Sequence, residues 1–221
     1  MSHFTVYVFS KDNGNDIEDL LAPYDENIEM SPYVKYTKAQ AIAKVRKDLE
    51  DYKHSWIYEE YLRNPEAYRE KHKNNKDHLN YIENEYPKRL KWTDEECYED
   101  MAQYARADGM VDDEGNLLST YNPKSKWDWY VIGGRWSGNL KMKDGKEVDD
   151  ALVSEIDWDK TDIPFAFITP DGEWYERGEM GWWACVSNEK EPADWEDEFK
   201  IAVKEFSKDD KICVTLVDCH I

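Results

Sequence analysis

The chain opens on Phe4 to Phe9 (FTVYVF), a run of aromatic and β-branched residues that predicts a strand. Asn13-Gly14 breaks it, and Ile17 to Ala22 reads as a short helix ended by Pro23. Pro23-Tyr24-Asp25-Glu26-Asn27 follows as an ordered acidic loop. From Thr37 the period changes. Thr37-Lys38-Ala39-Gln40 fits a capping box, and Ile42, Val45, Leu49, Tyr52 and Trp56 recur at spacings of three and four, one apolar helical stripe. Asn64-Pro65 restarts the chain as cap and first helical residue, with Tyr68, Leu79, Ile82 and Tyr86 as sparse apolar positions before Pro87 closes the segment. Thr93-Asp94-Glu95-Glu96 is a second capping box, opening a helix that ends near Gly109.

Beyond this point the pattern turns to β. Asp113-Glu114-Gly115-Asn116, Asp144-Gly145 and Pro170-Asp171-Gly172 are turn signals, which place strands near 117–121, 127–132, 138–143, 165–169 and 173–176. Ala193 to Phe206 returns to helical period with Trp195, Phe199, Ala202, Val203 and Phe206 on one side. Ile212 to Val217 (ICVTLV) is apolar on both faces, as a central strand is. The expected fold is one α+β domain spanning 1–221, an antiparallel or mixed sheet with a helical insertion, 35–109, after the first strand.

Composition and charge narrow the picture. With 40% hydrophobic and 14% aromatic residues the chain is too apolar for disorder, despite 35% charged residues. No run of about 18 apolar residues occurs, so no membrane-spanning helix is expected. The start, Met1-Ser2-His3-Phe4-Thr5, lacks the basic and apolar regions of a secretion signal, which predicts a cytoplasmic protein. Cys97, Cys185, Cys213 and Cys219 form no CxxC pair and no zinc pattern with the histidines, so free thiols, no metal and no cofactor are expected. The net charge is −20. Residues 31–91 hold 14 Lys/Arg and 10 Asp/Glu, a balance of +4, and the rest hold 15 and 39, a balance of −24. So acidic a body opposes the phosphate contacts of direct DNA binding. It leaves room for a basic protein partner, or for a small anion at one local positive spot.

Candidate chemistry concentrates in Trp127-Asp128-Trp129-Tyr130-Val131-Ile132-Gly133-Gly134-Arg135-Trp136. Consecutive glycines after a strand let amides converge on an anion, and Arg135 beside them can grip a phosphate or carboxylate. Trp127, Trp129, Tyr130 and Trp136 can supply stacking faces for a base. Together they read as a pocket for a nucleotide-like anion, or as a β-bulge whose rings fill the core. At the C-terminus Asp218, Cys219 and His220 line up an acid, a thiol and an imidazole. Strand neighbours face opposite ways, so Cys219 and His220 cannot face each other, whereas Asp218 and His220 share a face. With His3 or Asp25 they can form an acid/base or metal cluster, or they can be structural. Asp25-Glu26-Asn27 is either a cation or acid–base site or a solvent-facing cap. Gly178-Glu179-Met180-Gly181-Trp182-Trp183 suggests a tight turn or a ligand wall. Lys44, Arg46, Lys47, Lys71, Lys73 and Lys76 form a solvated or docking face.

Three segments together resemble a family of uncharacterised small proteins of tailed bacteriophages and prophages. They are His3-Phe4-Thr5-Val6 with Leu21-Ala22-Pro23-Tyr24-Asp25-Glu26-Asn27, then Lys126-Trp127-Asp128-Trp129-Tyr130 through Ile132-Gly133-Gly134-Arg135-Trp136, and Val217-Asp218-Cys219-His220-Ile221. The resemblance implies a setting, the host cytoplasm, and a role in host takeover or counter-defence; it carries no residue roles. The leading expectation is an accessory binding protein that holds a nucleotide-like anionic molecule at Gly133, Gly134, Arg135 and the surrounding rings. The alternatives are an acidic, nucleic-acid-mimicking inhibitor of a host defence protein, and a phosphoester or acyl hydrolase using Asp218, Cys219 or His220.

Overall fold

A computed structural model describes residues 2–11, 17–181 and 185–221. The Asn13-Gly14 break and the Trp182-Trp183 pair lie outside the described residues. Strand β1 is His3–Ser10, and α1 (Ile17–Leu21) runs into a 3-10 turn, Ala22–Tyr24, that contains Pro23. The chain continues through β2 (Tyr33–Tyr36), α2 (Lys38–Lys53), α3 (Trp56–Arg63), α4 (Pro65–His72) and α5 (Lys76–Asn80). A π-helical stretch, Tyr81–Glu85, leads to α6 (Tyr86–Arg89), α7 (Asp94–Ala107) and β3 (Leu117–Ser119). Next come β4 (Trp129–Ile132), a 3-10 turn at Gly134–Trp136, β5 (Leu140–Lys141), β6 (Glu147–Val148) and β7 (Asp150–Leu152). The last elements are β8 (Ala166–Ile168), β9 (Trp174–Glu176), β10 (Glu179–Met180), β11 (Val186–Ser187), α8 (Pro192–Phe206) and β12 (Cys213–His220).

The fold is α+β with the helical segment inserted after the first strand. Contacts divide it into two units, Met1–Glu29 with Tyr121–Ile221, and Met30–Thr120, the second containing the expected helical segment 35–109. In that second unit both capping boxes form: Thr37 and Gln40 cap α2, Thr93 and Glu96 cap α7, and Asn64 caps α4 ahead of Pro65. Val45 and Leu49 of α2 pack with Tyr86 and Cys97. Two expectations are corrected here. Trp56 does not continue the α2 stripe, because α2 stops at Lys53 and Ser55 caps a new helix, which leaves Trp56 71% exposed. Pro87 does not end the helical segment; it sits in the first turn of α6, where its missing N–H costs nothing, directly after the π-helical stretch. The basic positions Lys44, Arg46, Lys47, Lys71 and Lys73 all pair with neighbouring carboxylates at the surface.

The first unit is built on a mixed sheet of order β4-β12-β1-β8-β9, with β7 also on β12. Only β1 with β8 is parallel among the described pairings. β1 and β12 pair along their whole length, His3 opposite His220 and Ser10 opposite Cys213. Both are buried on both faces, hence sequences that are mostly apolar along their central residues. On one face Tyr7, Phe9, Phe167, Val214 and Leu216 pack under Trp195, Phe199 and Val203 of α8, each ring or branched chain contributing roughly 1.5–3 kcal/mol. The other face buries Phe4, Val6, Val8, Val217 and Cys219 against Ile17, Leu21, Tyr24 and Trp127.

β4 and β7 lie end to end along β12. Between them Leu216 accepts from the Gly133 amide at 2.9 Å and donates to the Asp149 carbonyl at 2.7 Å. The excursion from Gly133 to Asp149 therefore leaves and rejoins the sheet at one residue. Gly178 approaches its neighbours closely: a Cβ there would stand 2.6 Å from Val186, as a tight turn requires.

Candidate functional site

Strand alternation puts the site together. On β1 the positions after Phe9 and Tyr7, counting backwards, are Thr5 and His3; on β12 those after Val214 and Leu216 are Asp218 and His220. So the α8-covered face of the sheet, apolar along most of its length, ends in polar side chains. The register sets Thr5 opposite Asp218, His3 opposite His220, and Trp129 of β4 opposite His220. His3 Nδ1 lies 2.8 Å from Asp218 Oδ1, and His220 Nδ1 lies 2.6 Å from Asp128 Oδ1. A carboxylate only accepts, so Nδ1 carries the hydrogen in each ring and Nε2 is the free nitrogen. The two imidazole centroids are 5.0 Å apart, edge to face. The Trp129 indole stacks on His220 at 5.2 Å and 16°, and meets His3 edge-on at 5.3 Å. Asp218 is 2% exposed, and the His3 and His220 side chains are 8% and 7% exposed. His220 Nε2 is buried with no hydrogen-bond partner.

The Gly133-Gly134 turn forms a cradle for carboxylates, as its residue types suggest, but the protein's own carboxylates fill it. Gly133 has φ 72° and ψ −71°, and Gly134 has φ 54°, conformations open to glycine and strained for other residues. A Cβ on Gly133 would stand 2.3 Å from Asp149 Oδ2, and one on Gly134 would stand 2.5 Å from Asp218 Oδ2. The Arg135 amide donates to Asp218 Oδ2 at 3.0 Å. The Gly138 amide and the Ser137 hydroxyl donate to Asp149 at 2.6 and 2.7 Å. The turn thus holds Asp218, and Asp218 holds His3. The Arg135 side chain is exposed, and among the described residues its guanidinium has no hydrogen-bond or ion-pair partner.

The remaining predicted residues divide between the two faces. Trp129 is 42% exposed at the histidine pair. Trp127 is buried on the opposite face, its indole N–H donating to the Leu21 carbonyl at 3.1 Å, with Tyr130 against it at 5.1 Å. Trp136 packs half-buried against the α8-side core. Cys219 lies on the Trp127 face, away from Asp218 and His220, and burial pushes its thiol well above the usual range. Asp25 stays apart from the histidines: its Oδ1 accepts from the Asn27 amide and side chain, and Asn27 Nδ2 donates to the Asp128 carbonyl at 2.8 Å. Glu26 accepts from Tyr121 at 3.3 Å. No group of three or more His, Cys, Asp or Glu side chains that could hold a metal ion is found among the described residues.

Asp128 and Asp149 are the residues of this arrangement to which the sequence alone assigns no role. Asp128 sits between two tryptophans that face opposite sides, and its role follows only from the pairing of β4 with β12. The backbone draws the same elements together: Asp25 bridges Trp127, the Glu26 amide donates to the Trp127 carbonyl, and the Asp128 amide donates to the His220 carbonyl at 2.9 Å. The three segments LAPYDEN, KWDWYVIGGRW and VDCHI, far apart in the chain, therefore meet at one end of the sheet.

A cavity of about 710 Å³ in the same unit lies beside α8, lined among others by Trp158, Asp162, Phe199, Lys200 and Lys204. None of the predicted site residues lines it. No helix among the described residues is long and apolar enough to cross a membrane. Comparison of the chain with protein-family models, curated proteins and solved structures gives no match.

Proposed function

We propose that this chain is a phage-encoded accessory protein of host takeover or counter-defence that holds a nucleotide-like anionic molecule at the Trp129–Arg135 end of its sheet. The setting rests on the resemblance carried by the three segments. The site rests chiefly on Arg135. Most lysines and arginines near it in sequence are bound to carboxylates, as Lys126 is to Glu176 and Lys141 to Glu147. Arg135 instead offers an unpaired, exposed guanidinium on the residue whose amide holds Asp218. A guanidinium grips a phosphate through two parallel hydrogen bonds, and the exposed Trp129 ring supplies a stacking surface for a base. The amides of the turn do not serve the ligand in this reading: those of Arg135 and Gly138 hold the protein's own Asp218 and Asp149, and that of Gly133 bonds the Leu216 carbonyl.

The test is calorimetric titration with mononucleotides and cyclic dinucleotides. Arg135→Ala is expected to weaken binding about 10- to 100-fold, the worth of hydrogen bonds to a charged group. Trp129→Ala is expected to weaken it by a comparable factor, about 1–3 kcal/mol for one stacked ring. Affinity unchanged in both variants overturns the site.

A second reading draws on charge. The unit that carries this site holds 14 Lys/Arg and 30 Asp/Glu, most of the net −20. Such a surface suits an inhibitor that mimics nucleic-acid charge and docks on a basic host protein. Its mark is capture of a basic partner that falls steeply with added salt; salt-indifferent capture counts against it.

A further inference from the structure

The histidine pair has a chemistry that holding an anion does not use. In each ring Nδ1 is committed to its own carboxylate, which fixes tautomer and orientation and leaves Nε2 as the nitrogen available for proton transfer. Neighbouring strands bring the two rings to 5.0 Å, edge to face, so both imidazoles belong to one end of the sheet. His220 Nε2 supplies an independent sign. It is an acceptor without a donor inside a side chain 7% exposed, a state that a water or hydroxyl proton would relieve. The ring stacked on His220, Trp129, is the most exposed member of the cluster, so a ligand that shifts the indole opens that imidazole.

We infer that the site hydrolyses a phosphodiester bond in the nucleotide-like anion, with His3 and His220 as its general base and general acid. The inference rests on the ligand class proposed above. In-line displacement at phosphorus needs a base on the entering side and an acid on the leaving side. One imidazole, neutral at Nε2, takes a proton from water as the water oxygen bonds to phosphorus. The other, protonated at Nε2, gives its proton to the ester oxygen as that P–O bond breaks. Water and diester become a phosphomonoester and an alcohol. Each ring ends in its partner's starting state, and exchange with solvent protons restores both. Arg135 neutralises the phosphoryl oxygens, while Asp218 and Asp128 are positioning residues. Cys219, on the far face and held protonated, takes no part.

The experiment incubates the full chain with bis(4-nitrophenyl) phosphate and with linear and cyclic dinucleotides near neutral pH. Nitrophenolate absorbance and chromatography follow turnover, and calorimetry follows binding. Turnover by the wild-type chain is expected, reduced about 100-fold or more in His3→Ala and in His220→Ala. Added imidazole is expected to restore part of the loss, which it would not do for a purely structural defect. Asp128→Asn is expected to lower kcat with little change in KM. Nucleotide binding without turnover in the folded wild-type chain overturns the catalytic inference and leaves the binding reading standing. Turnover unaffected by either histidine substitution overturns it as well. Neither binding nor turnover overturns both.

Discussion

Gly134 and Asp218 occupy one another's space: a Cβ on Gly134 would stand 2.5 Å from the Asp218 carboxylate, and the next amide, of Arg135, donates to that same carboxylate at 3.0 Å. The other oxygen of Asp218 holds His3. A glycine turn after β4 therefore sets the orientation of an imidazole on β1, two strands away, through one buried acid on the strand between them.

Gly134→Ala is expected to lose roughly 2–5 kcal/mol of stability. Left-handed backbone costs about 1–2 kcal/mol for a residue with a Cβ, and a displaced Asp218 leaves buried donors unpaired at about 1–3 kcal/mol. Gly145→Ala is the control, because Gly145 also has positive φ (89°) but a Cβ there meets nothing within 4 Å. Urea denaturation of the two variants should separate them by the unpaired-donor contribution. Equal losses would mean that Asp218 yields without cost.

Thiol labelling tests the placement of the cysteines. Cys185 is exposed, whereas Cys97, Cys213 and Cys219 are buried. Burial also raises the Cys97 and Cys219 thiols above their ordinary value, so near pH 8 little of either is the reactive thiolate. In the native protein one thiol is expected to react with a disulfide reagent promptly and the other three only after unfolding. Prompt modification of Cys219 would break the two-faced account of β12.

The helical unit is expected to loosen in alkali. Tyr52 and Tyr86 meet at 4.7 Å, and Tyr86 donates to the Leu49 carbonyl at 2.9 Å. Burial pushes both phenols up to about 12 from 10.0, with neighbouring tyrosines adding to the effect. A raised phenol contributes stability that is complete below pH 10.0 and disappears as pH climbs through about 12. Tyrosinate absorbance and helical circular dichroism should therefore change together across that window. Tyr52 and Tyr86 titrating near 10 with the helices intact would contradict the packing.

Much of this arrangement was legible in the residues. Capping boxes at Thr37 and Thr93 announce helix starts because they satisfy amides locally, and they form as expected. The two-faced apolar run of Ile212 to Val217 marks β12 as a central strand for a similar reason, since burial on both sides leaves little polar alternation, and Phe4 to Phe9 is legible as the strand β1. Alternation alone separates Cys219 from Asp218 and His220, whereas it does not choose between His3 and Asp25 as their companion. Partners fixed by register were hidden. Asp128 belongs with His220, and Asp149 with Gly133, only because β4 and β7 share β12 end to end, and no local pattern encodes that. Nor does local pattern tell whether convergent amides receive a ligand or the chain's own carboxylates. Trp56 misled for another reason: its spacing fits the α2 stripe, yet the Ser55 cap stops one helix and starts another.

Trp129→Ala separates covering from folding. The ring is 42% exposed and its contacts at the sheet edge are with His220 and His3, so the substitution removes one stacked pair, about 0.5–1.5 kcal/mol, without opening the core. Trp127, by contrast, is 6% exposed and bonded to the Leu21 carbonyl, and Trp127→Ala should cost about 3–5 kcal/mol. Without the Trp129 indole, His220 Nε2 should become open to solvent while Asp128 still holds Nδ1. Diethyl pyrocarbonate, which acylates unprotonated imidazole nitrogen, is expected to modify His220 faster in Trp129→Ala than in the wild-type chain, with thermal stability nearly unchanged. A rate unchanged in the folded variant would mean that something other than Trp129 seals His220, and the indole would then have no role as its cover.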